Sequence, residues 1–367
     1  MNGIDPQGAE EAQGVQPLAP VSIAAVAERA GVSIATVSRV MNGVTNKTSE
    51  ATLGRVRDAI RALGYRPVGA GRSLRSRRSR LVAVLAANLA NPTMAAIAAV
   101  TEVALRRAGF VMVLCDSHDQ ADLQDEYLLE MRAQYACGFV LLGAVASPAL
   151  MRFRATGEPL VFVNRSDPFG SHCHVGIDNS AAGAEVAHWF DSLGRRPVAL
   201  IHGRLSSSAT AERVSGFLEA ARALSLEVLP VAAAGLAQSG HLEIGYHAML
   251  EHLAHLRRPR SVFCTSDLIA YGAHRAAREQ GLDPQKDIVF VGFDDSPLNP
   301  WVAPWLNAVR VPYAAYGDAI VQALTGRTEP VWLTHELVIR TPPHFEGRES
   351  RTETLTSSQP GDLTLRT

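Results

Sequence analysis

The chain has 367 residues, 47% of them hydrophobic, and a net charge of −1. That length calls for two or three domains, and that apolar content excludes wholesale disorder. The near-neutral total hides an uneven distribution. Residues 21–80 hold twelve cations against three anions, a net of +9, which leaves −10 for the remainder. A basic segment joined to an acidic body is the electrostatic footprint of a DNA-binding module; the alternative is a solvated basic helix face.

Residues 1–20 are acidic and rich in Gly, Pro and Gln, which predicts a disordered tail without the basic and apolar pattern of a secretory signal. Short capped helices follow. Ser22 is the N-cap of a first helix with Val26, Ala27 and Ala30 on one face, and Gly31 allows a sharp turn. Ser33 caps a second helix that points Val37 and Val40 inward, with Val32 at the elbow, and leaves Ile34, Ala35, Thr36, Ser38 and Arg39 outside. Two helices so joined form a helix-turn-helix, whose second helix enters the major groove N-terminus first. A third helix runs from cap Ser49 to Gly64 with Val56, Ile60 and Leu63 as its stripe. Residues 67–80, rich in Gly, Ser and Arg, read as a linker.

From residue 81 the texture changes. Apolar runs at 81–87, 111–115, 138–142, 160–163, 198–201, 261–264 and 288–292 alternate with helix-like stretches at 93–108, 181–193, 211–224 and 268–280. Such alternation predicts parallel sheets with helices on both faces, and about 265 residues of it predict two lobes. Residues 344–367 are polar and read as a second disordered tail. The cysteines, Cys115, Cys137, Cys173 and Cys264, are scattered without a Cys-x-x-Cys pair and read as buried free thiols of a reducing cytosol. No apolar run has the length of a membrane span, so the expected location is cytoplasmic.

The wording of the basic segment is specific. Ala30-Gly31-Val32-Ser33, then Thr36-Val37-Ser38-Arg39-Val40 and Asn42, with Leu63-Gly64-Tyr65-Arg66-Pro67 and Arg72-Ser73-Leu74-Arg75 behind them, closely resembles the headpiece and hinge of the LacI family of bacterial transcription regulators. The resemblance continues in Asn91-Pro92, Val175-Gly176-Ile177-Asp178-Asn179, Arg213 with Gly216-Phe217, Thr265-Ser266-Asp267, Val291-Gly292-Phe293-Asp294-Asp295 and Leu337-Val338-Ile339-Arg340. It implies an all-α helix-turn-helix headpiece (21–66), a hinge (67–80) and an α/β periplasmic-binding-protein-like sensing domain of two Rossmann-like lobes (81–343). The implied function is a sequence-specific DNA-binding repressor. Its operator affinity would be controlled by a small polar effector, a sugar or sugar acid, bound between the lobes. The implied partners are a near-palindromic operator duplex, a second copy of the chain in a homodimer, and the effector, with no membrane, cofactor or metal.

Carried over by position, the DNA-binding residues are Ser33, Ile34, Ala35, Thr36, Ser38, Arg39, Asn42, Arg72 and Leu74. Ile34 and Ala35 hold the main specificity positions but, being apolar, reach only a thymine methyl, which places base reading on Arg39. Leu74 matches the family's minor-groove wedge, and Gly69 and Gly71 weaken the hinge helix by about 1 kcal/mol each relative to alanine. The resemblance places Asn91, Asn164, Arg165, Arg213, Ser266 and Asp294 in the effector cleft. For Arg213 and Asp294 the competing reading is an inter-lobe salt bridge. Thr93, Met94 and Gly240 stand where the family often has aromatics, and the retained arginines point to an anionic effector such as a sugar acid.

Two other classes fit less of the chain. A solute-binding protein explains residues 81–343 but not the headpiece. An enzyme on Rossmann-like lobes needs a cofactor fingerprint, and Gly-x-Gly-x-x-Gly, the phosphate loop and Gly-x-Ser-x-Gly are all missing. His172-Cys173-His174 would alternate faces on an extended chain, and His252 with His255 has no completing ligand, so both groups read as structural histidines.

Overall fold

The computed structural model describes residues 21–41, 43–44, 48–65, 79–170, 173–230, 240–283 and 286–340. Expectations for Asn42, Gly69, Gly71, Arg72, Leu74, His172 and the two tails lie outside these residues. The chain divides into two compact units, residues 1–79 and 80–367.

The first unit contains α1 (Ile23–Ala30), α2 (Ile34–Met41) and α3 (Glu50–Leu63). Ser22 caps α1 by accepting from the Ala25 amide at 3.2 Å, and Ser49 caps α3 from Thr52. Gly31 ends α1 at φ +64°, a left-handed conformation that would strain a side chain. Val26, Ala30, Val37, Val56 and Ala59 form one buried cluster, with Val32, Val40, Ile60 and Leu63 packed on its margin. The stripe of α3 is therefore centred on Leu53, Val56 and Ala59, one residue short of the predicted face.

The second unit has two lobes. In chain order its elements are β1 (Leu81–Ala86), α4 (Pro92–Arg107), β2 (Val111–Asp116), α5 (Ala121–Ala133), β3 (Gly138–Leu142), α6 (Pro148–Phe153), β4 (Leu160–Val163) and β5 (His174–Ile177). These are followed by α7 (Asn179–Leu193), β6 (Val198–Ile201), α8 (Ser208–Ala223), α9 (His241–Ala254), β7 (Ser261–Cys264), α10 (Asp267–Glu279) and β8 (Val289–Asp294). The last are α11 (Asn299–Val302), β9 (Asn307–Arg310), α12 (Tyr313–Leu324), β10 (Val331–Leu333) and β11 (Glu336–Val338).

Lobe 1 is a parallel sheet in the order β10-β5-β4-β3-β1-β2. Lobe 2 is β11-β9-β8-β7-β6, parallel except for β11 on β9. The chain crosses between lobes after β5, again before α12, and finally between β10 and β11. Strands β3, β4, β6, β7 and β8 are buried throughout, as expected of strands covered by helices on both faces.

Packing between lobe-2 helices depends on paired glycines. A Cβ on Gly183 of α7 would lie 2.3 Å from the Arg213 carbonyl oxygen of α8, and one on Gly216 of α8 would lie 2.0 Å from the Ser180 oxygen of α7. Gly245 of α9 and Gly272 of α10 meet the Ile269 and Leu242 oxygens at 1.9 Å in the same reciprocal way. Both helix pairs are thus in backbone contact.

All four cysteines are free, but only Cys173 and Cys264 are buried. The expectation of four buried thiols is corrected for Cys115 and Cys137, which are half-buried. Cys115 lies on β2, the edge strand of lobe 1, and Cys137 immediately precedes β3. His174 is buried in β5 against Trp332, and neither ring nitrogen has a hydrogen-bond partner among the described residues. His252 is buried in α9 and His255 follows its end. Among the described residues no helix is long and apolar enough to cross a membrane.

Candidate functional site

In the first unit, α2 presents its outer face as the sequence predicts. Ile34 is 51% exposed, Ala35 and Arg39 are exposed, and Val37 is fully buried beneath them. Ser33 accepts from the Thr36 amide at 3.2 Å, and its hydroxyl meets the Thr36 hydroxyl at 3.0 Å. The Thr36 hydroxyl is thereby engaged locally, which fixes the start of the helix. Ser38 is half-buried at the flank. Arg39 has no ion-pair partner among the described residues, so its guanidinium is available to an external acceptor.

In the second unit, loops at the carboxyl ends of both sheets enclose a cavity of about 560 Å³. Such loops are where open parallel sheets bind ligands. Asn91, Asn164, Arg165, Arg213, Ser266 and Asp294 all line it, as do Thr93, Met94 and Gly240. Lobe 1 contributes Asn91 as N-cap of α4, Asn164 at φ +67° and Arg165, which pairs with Asp119 at 2.5 Å. Lobe 2 contributes Ser266, N-cap of α10, and the pair Arg213–Asp294 at 3.7 Å. That pair sits wholly within lobe 2, so the inter-lobe reading is corrected: Arg213 comes from α8 and Asp294 from the end of β8.

Arg213 is held rigidly. Its Nε donates to Asn179 at 2.9 Å, its Nη1 to the Thr265 carbonyl at 2.8 Å, and Phe293 lies 3.5 Å under its plane. Asp294 is strained at φ +104° and its neighbour Asp295 sits at φ +51°. Asp295 is anchored by Arg310 and Arg340, both at 2.7 Å. Behind them, Asp267 accepts from the Ser296 amide at 2.7 Å and from Asn299 at 3.0 Å, while its Oδ1 has no partner among the described residues. Bonds tie the lobes at this level: Tyr313 donates to the Asp294 carbonyl at 3.1 Å, the Ser166 amide donates to Ser208 at 2.9 Å, and Thr93 bonds the Asp294 carboxyl.

Burial pushes Asp294 up to about 6, against the opposing pull of Arg213 and a hydrogen bond from Thr93. Burial, reinforced by Asp294, also holds Asp267 well above the carboxylate range. A raised native pKa means the folded chain takes up a proton that the unfolded chain, near 3.8, does not. Stability from Asp294 is therefore fully present below about 3.8 and lost as pH rises through about 6. Melting temperatures of the native protein and Asp294→Asn, compared from pH 7 to pH 4, should shift in favour of the native protein as pH falls. A constant difference would place the proton elsewhere.

Sequence reasoning missed several lining residues: His118 and Asp119 after β2, Arg204 after β6 and His241 at the start of α9. Their position directly beyond strand ends or at a helix start was the available signal.

An exposed second helix of a helix-turn-helix in one unit and a polar cleft between two Rossmann-like lobes in the other define a DNA reader joined to a ligand-binding domain. Comparison with known proteins agrees. The family description for lacI-type bacterial regulatory proteins matches residues 22–68, and that for a periplasmic binding protein-like domain matches residues 187–350. The HTH-type transcriptional repressor PurR of Serratia proteamaculans is 30% identical over 306 residues, covering 82% of this chain and 89% of that one. The lac repressor dimer bound to operator and the anti-inducer ONPF shares the fold at a TM-score of 0.74 with 23% identity, over 88% of this chain and 99% of that one. The cellobiose complex of the regulator CelR aligns over the same shares at a TM-score of 0.63 with 27% identity. The chain belongs to the LacI family of bacterial regulatory proteins. It is a DNA-binding transcription regulator of the helix-turn-helix type.

Proposed function

We propose that residues 21–66 read the operator through Ile34, Ala35 and Arg39, that 67–80 form the hinge, and that 81–343 sense a sugar-sized polar effector in the cytoplasm. The observation that carries the sensing assignment is the convergence of Asn91, Asn164, Arg165, Arg213, Ser266 and Asp294 on one cavity. CelR holds cellobiose, which supports a carbohydrate-like ligand. The two lobes are joined by three chain crossings, a shared apolar cluster and a few bonds, and ligand contacts to both favour closure. Closure alters the geometry of paired hinges, and by linkage operator DNA changes effector affinity by the same factor.

Because Ile34 and Ala35 cannot hydrogen-bond a base edge, Arg39 carries most direct readout. Selection of duplexes from a random pool by the full chain, at two salt concentrations, should yield a near-palindrome with a steep salt dependence. Arg39→Ala should lose about 1–3 kcal/mol of discrimination at one base pair of each half-site. An unchanged motif for the alanine variant would remove Arg39 from base reading.

A further inference from the structure

Four helix N-termini converge on the cleft, and their N-cap residues Asn91, Ser207, Gly240 and Ser266 all line it. Three of these caps accept a bond from their own first turn; the fourth, Gly240, has no side chain to do so. The first residue of that helix is His241, half-buried in the cavity wall.

The state of His241 is set by its neighbours. The Ser266 hydroxyl accepts from the Ile269 amide at 3.3 Å and lies 2.9 Å from His241 Nδ1. With the serine proton directed at Nδ1, the hydrogen of the neutral ring sits on Nε2. Burial, with the charges of Arg213 and Arg165, lowers the His241 pKa and favours this neutral form. The facing residue is Gly203, whose lack of a side chain leaves Nε2 uncovered: a Cβ there would lie 3.1 Å away.

Around this donor stand further donors, beside the carboxylates of Asp119, Glu243 and Asp294 that also line the cavity. Arg213, 5% exposed, spends Nε and Nη1 on Asn179 and Thr265 and leaves Nη2 without a hydrogen-bond partner among the described residues. Arg204 lines the cavity and has no ion-pair partner among them. Arg165 is neutralised by Asp119, and Arg213 faces Asp294 through Nη1 at 3.7 Å, which leaves its Nη2 edge to a second acceptor. The complement of an imidazole N–H and two guanidinium edges is an acceptor-only group with negative charge.

We propose that the effector is a small polyhydroxylated oxyanion, and that its anionic group seats on His241 Nε2, Arg213 Nη2 and Arg204. This rests on the cleft being the effector site. The rest of the polyol then meets the lobe-1 wall at Asn91, Asn164 and Arg165.

The test is calorimetric titration of the full chain with the gluco and galacto series, each as neutral sugar, aldonate, uronate and 6-phosphate, with inorganic phosphate alongside. At least one anionic member should bind about tenfold or more tightly than its neutral parent, the loss that one charge-assisted hydrogen bond implies. Carboxylates binding alone would identify a sugar acid, and 6-phosphates alone a sugar phosphate. Arg204→Gln, at an exposed site that does not threaten folding, and His241→Phe should each weaken that anion about tenfold while changing the neutral parent less than twofold. A neutral sugar that binds as tightly as its acids, or a panel in which nothing binds, overturns the proposal. Operator retention in the same samples separates the two ideas. A neutral sugar that alters operator affinity leaves the cleft reading intact and sinks the anion, whereas an anion that binds without altering operator affinity sinks effector control instead.

Discussion

Arg213→Ala is expected to destabilise the sensing unit by about 3–5 kcal/mol and to leave a protein that binds operator but no longer answers its effector. The magnitude follows from burial. Arg213 and Asp294 are each about 5% exposed, and removing the guanidinium leaves a buried carboxyl beside Asp267 with no compensating charge. It also removes the bonds that fix Asn179 and the Thr265 carbonyl and uncovers the face of Phe293. Arg213→Lys keeps the charge but not the planar fork that reaches both acceptors at once, so it should recover part of the stability and little of the response. The headpiece has its own core around Val37 and Val56, which is why operator binding should survive. Urea unfolding, together with operator retention in the presence and absence of effector, reads both effects. An alanine variant with an unchanged unfolding midpoint would mean that the pair is solvated in solution and not the anchor of the cleft.

The parts of the molecule that were legible in the sequence are those whose cause is local. The caps Ser22, Ser33 and Ser49 and the turn at Gly31 are decided within a few residues, and the recognition face follows from helical spacing. The central strands announce themselves as apolar runs because both of their faces are covered. β5, β9, β10 and β11 gave no such signal. They are three or four residues long, β9 begins at Asn307 and ends at exposed Arg310, and β10 is an edge strand with Trp332 61% exposed. The pairings of β10 with β5 and of β11 with β9 depend on late crossings that no local pattern encodes.

The cleft divides in the same way. Its six named residues were found because they sit in recognisable stretches of wording, and the structure gathers them into one wall-to-wall cavity. His241 and Arg204 lay in no such stretch. The role of His241 becomes visible only when Ser266, 25 positions away, is seen to orient its ring. Gly216 is the reverse case: its place in the sequence pattern with Arg213 was plain, but its reason, the Ser180 carbonyl pressed against its Cα, is tertiary.

Gly272→Ala is expected to cost about 3 kcal/mol or more, although alanine is the better helix former. The intrinsic preference gains about 1 kcal/mol for alanine in a helix interior. Against it stands a Cβ placed 1.9 Å from the Leu242 oxygen and 2.8 Å from the Tyr246 nitrogen, both backbone atoms that cannot rotate away. α9 and α10 must therefore separate along their length, and overpacking of this kind costs 1–3 kcal/mol even where side chains share the strain. Gly245→Ala should act alike, because its contact with the Ile269 oxygen is equally short. Gly54 in α3 is the control: the same substitution meets nothing within 4 Å there, so only the helix preference remains and the headpiece should gain up to about 1 kcal/mol. Opposite signs from identical chemistry, read by calorimetric unfolding of the full chain, would establish that the glycines of lobe 2 are packing residues. The effect should also reach the cleft. Leu242 follows His241 at the start of α9, and Ser266 caps α10, so parting the two helices breaks the bond that orients the imidazole. A Gly272→Ala protein that is destabilised yet binds effector normally would show that the ring is positioned by the loop before α9 and not by the helix pair.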